Sequence, residues 1–131
     1  LEPRGALRLT LARSGADPFV LIAAHLGLRR TDRRAQWARI ARELGREAPG
    51  PALAIGDFNE WSTKRGFEAL TGLDVHAPGA TYPSRAPLGR LDRLVTTPGL
   101  RVLRMGVFDS PLARRASDHL PIWADVEGLQ V

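Results

Sequence analysis

The sequence predicts an α/β fold in which helices flank a mixed β-sheet. Two apolar runs of strand length, residues 19–24 and 52–55, lie on either side of a segment whose apolar residues recur at helical spacing. A strand–helix–strand unit of this kind joins parallel neighbours through a right-handed connection. A hairpin before the unit and alternating strands after it add antiparallel pairs, so the sheet is expected to be mixed.

The N-terminal segment predicts a hairpin. Leu7, Leu9 and Leu11 alternate with polar residues, which is typical of a half-buried strand. Residues 14–18 have turn composition, and the apolar run that follows, residues 19–25, is expected to pair with the first strand.

The next segment predicts a helix that Thr31 or Asp32 can cap. The Pro49-Gly50-Pro51 sequence ends it, and the strand 52–56 follows. The apolar stripe of this helix consists of Trp37, Ile40, Ala41 and Leu44. Four arginines near its start are expected to be solvated, and these are Arg29, Arg30, Arg33 and Arg34.

The middle of the chain is less regular. Residues 63–70 predict a short helix with Phe67 and Leu70 turned inward, and residues 71–88 are rich in Gly and Pro and are expected to be irregular. Residues 90–96 alternate as a strand, and residues 100–108 are expected to form its partner.

The C-terminal part predicts a loop, residues 110–117, followed by a last strand, residues 119–126. Because proline cannot donate to a β-ladder, Pro121 predicts that this strand lies at a sheet edge or begins irregularly.

Polar clusters adjoin three of the predicted strands. Asp57 and Asn59 follow one strand, His25 follows another, and Asp118 and His119 precede the last. Each cluster has an ordinary explanation, as a loop cap, a structural histidine or surface polarity. Ligands gather at strand ends in α/β sheets, so all three clusters share one rim if the last strand is antiparallel to the other two.

Four motifs occur together in a recognisable order: His25-Leu26-Gly27-Leu28, Gly56-Asp57-Phe58-Asn59, Leu91-Asp92-Arg93-Leu94 and Ser117-Asp118-His119. Their order and spacing resemble the endonuclease/exonuclease/phosphatase family, whose members include deoxyribonuclease I and exonuclease III. The resemblance implies a fold of the α/β class, a two-sheet sandwich of the α+β type. It also implies that the protein is a metal-dependent hydrolase of phosphoesters, and of phosphodiesters in particular. The implied activity is attack on phosphorus by a water that an aspartate orients.

The resemblance also implies that residues 1–131 are a single, partial domain that corresponds to the C-terminal half of the sandwich. The family pattern begins with a further half that carries an Asn and a metal-binding Glu. Glu2 has no strand before it, and the first methionine is Met105. The missing half, or a second copy in a homodimer, is therefore an expected partner.

The resemblance assigns five catalytic residues. Asp57 orients and deprotonates the attacking water, and Asn59 supports Asp57 and donates to a phosphate oxygen. His119 donates to a second oxygen in the transition state, Asp92 pairs with His119, and His25 contacts the phosphate or the leaving group. A surface ion pair with a neighbouring arginine is the alternative for Asp92.

The implied metal is Mg²⁺ or Mn²⁺, which prefer oxygen ligands, with Asp57 and Asp118 as candidate ligands. Because the family's Glu is not matched, weak metal binding is expected. Asn59, Trp61, Arg90 and Arg115 are the candidate substrate-binding residues, and the class of phosphoester substrate is left open.

Composition narrows these possibilities. The chain has 131 residues, no cysteine and a net charge of +5, and Lys64 is the one lysine. Without cysteine, the chain can form neither disulfides nor thiolates. Its sequence has no apolar run of the ~18 residues that a membrane span needs. A cytoplasmic location is expected. Arginine forks suit phosphate recognition, although a GC-rich coding sequence produces the same bias. An association or scaffold module and an arginine-rich nucleic-acid-binding domain are the alternative functions.

Overall fold

The computed structural model describes residues 4–45 and 50–128. The strands are β1 (Gly5–Arg13), β2 (Ala16–His25), β3 (Ala52–Asp57), β4 (Asp74–His76), β5 (Asp92–Thr96), β6 (Leu100–Val107) and β7 (Ile122–Gly128). The helices are α1 (Arg30–Gly45), α2 (Pro111–Ala116) and a single 3₁₀ turn (Glu68–Leu70). Glu2 and Pro49, which entered the sequence predictions, lie outside the described residues.

The larger sheet is mixed, as predicted, with the strand order β1-β2-β3-β5-β4. The β2–α1–β3 unit is a parallel crossover, whereas the β1–β2, β3–β5 and β4–β5 pairs are antiparallel. A second sheet contains β6 and β7. The α/β fold with two sheets is thereby confirmed.

The two faces of the larger sheet bury different apolar sets. One face packs on α1, where Trp37 and Phe58 meet edge to face with their ring centroids 4.3 Å apart. The other face packs on the second sheet through Leu53, Leu94 and Leu100. The polar rim therefore stands at one end of a packed, layered structure.

Two predictions about the second sheet need correction. The strand that begins at Leu100 pairs with β7 and not with β5, because the chain leaves the larger sheet at Thr97, whose N–H donates to Ala52 O at 3.0 Å. The last strand begins at Ile122, after Pro121 and not at residue 119, since Pro121 lacks an N–H. The prediction that it is an edge strand is confirmed, because it pairs only with β6 among the described residues.

Local turn chemistry explains three other differences. The helix expected at 63–70 is reduced to one 3₁₀ turn, because Gly66 has φ +90° and interrupts it. The loop expected at 110–117 contains α2, which Ser110 caps by accepting from Ala113 N at 3.0 Å. Within the irregular segment 71–88 the short strand β4 adds to the sheet.

The helix boundary also differs slightly from the prediction. The helix α1 begins at Arg30, and Arg29 O accepts from Arg33 N at 3.1 Å, so Thr31 and Asp32 lie inside the first turn. An aspartate there is favourable because its charge opposes the positive end of the helix dipole. None of the described helices is long and apolar enough to cross a membrane.

Candidate active site

The register of three neighbouring strands places three polar side chains side by side. His25 is the direct partner of Asp57 across the parallel β2–β3 pair, and Asp57 is the direct partner of Asp92 across the antiparallel β3–β5 pair. Residues directly opposite each other project from the same face of a sheet. All three therefore reach one rim.

Glycine is required just before the central aspartate. Gly56 has φ +149°, and a Cβ at this position would lie 1.9 Å from Ala24 O on the neighbouring strand. No other residue type fits so close an approach of two backbones. The Gly-Asp sequence thus brings β3 against β2 where His25 and Asp57 meet.

His119 reaches the same rim from the second sheet. Its Nδ1 lies 2.7 Å from Asp92 Oδ2, and its Nε2 lies 3.5 Å from Asp57 Oδ2. β7 belongs to the other sheet, and the segment before it brings His119 to the rim. The convergence arises from the packing of the two sheets.

The Asp92 carboxylate holds His119 and is itself held. Thr81 Oγ1 donates to Asp92 Oδ2 at 2.5 Å, and both Thr81 and Asp92 are largely buried. Asp92 makes no ion pair with an arginine among the described residues, so the alternative of a surface ion pair does not apply. Thr81 has no local sequence signal for this role.

The electrostatics of the His119–Asp92 pair favour the charged form of the imidazole. Burial by itself would lower the pKa of His119, but the hydrogen bond to Asp92 and the charges of Asp92, Asp57 and Asp118 outweigh it, and the pKa is raised. Burial raises the pKa of Asp57; Asn59 N–H opposes this, and the charge of Asp92 adds to it. Asp57 is thus a stronger base than an exposed aspartate.

Asn59 supports Asp57 through its backbone. Asn59 N donates to Asp57 Oδ1 at 2.9 Å, in a turn where Asn59 has φ +50°, a conformation that asparagine tolerates better than most residues. Its side-chain Nδ2 donates to Leu26 O at 2.8 Å. Asp57 Oδ2 faces the two histidines, with His25 Nε2 at 3.3 Å.

His25 is more open than Asp57, Asp92 and His119, the other three side chains at the rim. It is about half exposed, at 48%, and Arg4 Nη1 contacts its ring. Asp57, Asp92 and His119 are much more enclosed. His25 therefore lines the entrance, and the other three form the floor.

One group of possible metal ligands occurs among residues 4–45 and 50–128. Asp57, Asp92 and His119 each offer one ligand atom, and these atoms all lie within 4.8 Å of one another. Two carboxylates and one imidazole suit a hard divalent cation. Asp118 is exposed and does not belong to the group; its backbone O accepts from Ser84 N at 2.8 Å.

Aromatic residues form one wall of the site. The Tyr82 ring lies 4.9 Å from the His119 ring, and Trp61 meets Tyr82 edge to face at 6.0 Å. Trp61 packs on Gly89, where a Cβ would lie 2.7 Å from the indole. Trp61 is therefore near the site, and Tyr82 stands between it and His119.

Arg90 and Arg115 are exposed and make no side-chain hydrogen bond or ion pair within the described part of the chain. Each belongs to a segment next to the site: Arg90 O accepts from Arg93 Nε, and Arg115 is in α2.

A buried ionic cluster holds the loop that follows Asp57. Glu60 is 1% exposed, and its carboxylate accepts from Arg30 at 2.8 Å and from Arg33 at 3.0 Å. Arg33 is buried and also donates to Gly27 O and Leu28 O, so the expectation that it is solvated is wrong. Arg93, also buried, donates to Glu60 O at 2.8 Å. Burial would raise the pKa of Glu60, but the arginine hydrogen bonds lower it to about 2.

Comparison with known proteins identifies the family of this chain. The model of the endonuclease/exonuclease/phosphatase family matches residues 3–119. The chain belongs to this family.

Sequence comparison finds a curated relative, the uncharacterised protein YbhP of Escherichia coli. It is 34% identical over 142 residues, and the match covers 95% of this chain and 53% of YbhP. The chain spans about half the length of the curated relatives it matches.

Several solved structures share the fold. A conserved protein from Enterococcus faecalis superposes with a TM-score of 0.77 at 24% identity, over 94% of this chain and 56% of that one. A mannosyl-6-phosphatase from Bacteroides thetaiotaomicron gives 0.62 at 22%, over 84% and 51%. TDP2 of D. rerio, complexed with a single-stranded DNA product, gives 0.73 at 17%, over 95% and 62%. Identities this low establish the fold alone.

The Glu60 cluster leads to a prediction about stability and pH. Glu60→Gln removes the buried charge that pairs with the buried Arg33 and with the partly exposed Arg30, so the free energy of unfolding at pH 7 should fall by roughly 3–5 kcal/mol. The lowered pKa contributes stability that is complete above the ordinary pKa of glutamate and is lost as pH falls toward 2. The difference in free energy of unfolding between wild type and Glu60→Gln should therefore be about 2 kcal/mol smaller at pH 3 than at pH 7. Urea unfolding of both proteins at pH 7 and at pH 3 measures these free energies.

Glu127→Gln is the matched control, because Glu127 pairs with Arg101 at the exposed surface. Its effect should stay within about 1 kcal/mol at either pH. Equal losses in the two variants, or a difference for Glu60→Gln that does not change with pH, would contradict a structural role for the buried cluster.

Proposed function

We propose that this chain carries the phosphoester-hydrolysing centre of a metal-dependent enzyme, with phosphodiesters as the first substrate class to test. The observation that carries the proposal is the contact of Asp57 and Asp92 with His119, three residues from distant segments. Family membership supports the reaction class, and relatives of the same fold include a mannosyl-6-phosphatase.

The proposed roles follow from the hydrogen bonds. Asp57 has one oxygen bonded by Asn59 N–H and the other facing the site between His25 and His119, so it can accept a proton from water and orient that water toward phosphorus. Burial raises its pKa, which favours proton uptake. The water attacks phosphorus, its proton passes to Asp57, and the bond from phosphorus to the leaving oxygen breaks.

His119 stabilises the charge that develops on the phosphoryl group. Its Nδ1–H donates to Asp92, which leaves Nε2–H free to donate to a non-bridging oxygen. The raised pKa of His119 favours the charged ring that carries this second proton. Asp92 thus fixes both the orientation and the charge of the ring.

The remaining candidates contribute contacts with the substrate. His25 stands at the entrance, where it can bind a phosphate oxygen or the leaving group. Asn59 has amide capacity beyond its bond to Leu26 O for a phosphate oxygen. Trp61, Arg90 and Arg115 line the approach as substrate-binding residues.

A divalent cation, Mg²⁺ or Mn²⁺, completes the proposal. Asp57 and Asp118 are its proposed ligands, and Asp92 is a further candidate because it belongs to the same close group as Asp57. When bound, the cation neutralises charge on the phosphate oxygens. It is weakly held in this chain, since two or three carboxylates make an incomplete set for an octahedral ion.

Association with a further half-domain or a second copy is part of the proposal. Leu7, Leu9 and Leu11 lie on β1 at 59%, 36% and 38% exposure, opposite Leu21 and Phe19 on β2. A row of exposed apolar residues on a sheet favours burial against another surface. We propose that this face is the contact surface for that partner.

His119→Ala tests the mechanism. Loss of one preorganised donor should reduce the hydrolysis of bis(p-nitrophenyl) phosphate by the full-length gene product, with Mg²⁺ present, by about 10²-fold. His76→Ala is the matched control, because His76 bonds Thr96 on β5 away from the site and its loss should leave the rate unchanged. A rate that is insensitive to His119→Ala would remove this residue from the mechanism.

Metal binding provides a separate test. Titration calorimetry of the chain with MgCl₂ or MnCl₂ should give affinity weaker than micromolar, and Asp57→Asn should abolish the binding that is seen. Asp125→Asn, which alters a carboxylate paired with Arg104 at the surface, should have no effect. Micromolar affinity in the unaltered chain would contradict the proposal of an incomplete metal site.

A further inference from the structure

Four segments surround the candidate active site and form one connected surface. They are called the site loops and comprise residues 26–30, 58–66, 82–90 and 109–118.

Hydrogen bonds join the site loops in order. The first and second meet where Arg30 bonds Glu60 at 2.8 Å. The buried Arg93 joins the second and third by donating to Ser62 O at 2.9 Å and to Arg90 O at 2.8 Å.

The third and fourth site loops are joined through Ser84. Its N–H donates to Asp118 O at 2.8 Å, and its Oγ donates to Ser117 O at 2.7 Å. The four segments are thus fixed relative to one another and present a defined surface around His119.

The site loops carry the charge of the whole chain. They contain eight of the 19 basic residues and three of the 14 acidic residues, so the eleven basic and eleven acidic residues elsewhere cancel, and the net charge of +5 belongs to these loops. Six of the eight cations are exposed and have no ion pair among the described residues. They are Arg29, Lys64, Arg65, Arg85, Arg90 and Arg115.

The site loops also carry exposed apolar side chains. Leu88, Leu112 and Leu28 are 80%, 74% and 71% exposed, and no other large apolar side chain of the described residues is more exposed than these three. Trp61, at 59%, adds an aromatic ring. Each of the four loops therefore presents at least one large apolar group beside unpaired cations.

We infer that the site loops dock on an anionic lipid surface. Cations near such a surface are attracted to its headgroups, and protruding leucines gain by leaving water for the acyl boundary. Single-stranded nucleic acid is bound instead through stacked aromatic rings, and only Trp61 is exposed here for that purpose. The combination of unpaired arginines with isolated leucines fits a lipid interface better than a nucleic acid.

The inference also identifies a substrate class, and this part rests on the proposed function. Docking through the site loops brings His25, Asp57 and His119 against the headgroup layer. The phosphoester that they hydrolyse is then one in the headgroup of a membrane lipid. Docking itself requires no hydrolysis and is tested without it.

Sedimentation with lipid vesicles tests the docking surface. The chain should bind vesicles of 7:3 phosphatidylcholine and phosphatidylglycerol, and it should bind pure phosphatidylcholine far less. Leu28→Ser/Leu88→Ser should weaken binding by at least about tenfold, because each buried leucine is worth roughly that factor. Leu103→Ser/Met105→Ser, which alters exposed apolar residues of β6 outside the site loops, should leave binding unchanged.

The charge contribution has its own matched pair. Lys64→Gln/Arg85→Gln should weaken binding to the anionic vesicles by about 25-fold, at roughly fivefold for each cation near the surface. Arg39→Gln/Arg42→Gln, on the exposed side of α1, should have little effect. All altered side chains are exposed, and thermal melting verifies that each variant remains folded.

Three results would overturn the inference. The first is that the wild-type chain fails to bind anionic vesicles. The second is that site-loop and control variants lose binding equally, which would indicate a nonspecific apolar or cationic contact. The third is salt-sensitive binding to a DNA or RNA oligonucleotide without vesicle binding, which would make the site loops a nucleic-acid surface.

Discussion

The strand register at the end of the larger sheet is the constraint on which the rest of the site depends. Asp57 stands between His25 and Asp92 because β3 is parallel to one neighbour and antiparallel to the other, so a strand end and a strand start coincide. A slip of one residue would turn Asp57 to the opposite face. Gly56 holds this register closely, since its backbone touches that of Ala24.

Two supports keep this register useful for chemistry. Below the rim, Glu60 and its buried arginine partners fix the loop that carries Asn59, so the backbone N–H that bonds Asp57 stays in place. Across the rim, Thr81 and Asp92 hold His119. The charges in the two supports have opposite arrangements: a buried carboxylate is surrounded by guanidinium groups in one, and an imidazole is surrounded by carboxylates in the other.

The local features of the structure could be predicted from the sequence. The hairpin, the strand–helix–strand unit and the rim positions of Asp57 and His25 follow from hydrophobic periodicity and from polar residues at strand ends. The approach of His119 depends on how two sheets pack, which periodicity does not encode. Glu60 and Arg33 resemble surface residues in the sequence, and only their mutual burial, 27 residues apart, reveals their role. The short helix α2 was signalled by a Ser-Pro cap that the assumption of a loop overlooked.

His119 and Asp92 form one hydrogen-bonded unit at the rim, and NMR of the imidazole nitrogens can test this contact. The chain has three histidines, so each is readily assigned. We expect the pKa of His119 to lie above its ordinary value and the neutral ring to be protonated on Nδ1. In Asp92→Asn, the pKa of His119 should be lower than in the wild type. A pKa of His119 that Asp92→Asn leaves unchanged, or a neutral form protonated on Nε2, would contradict it.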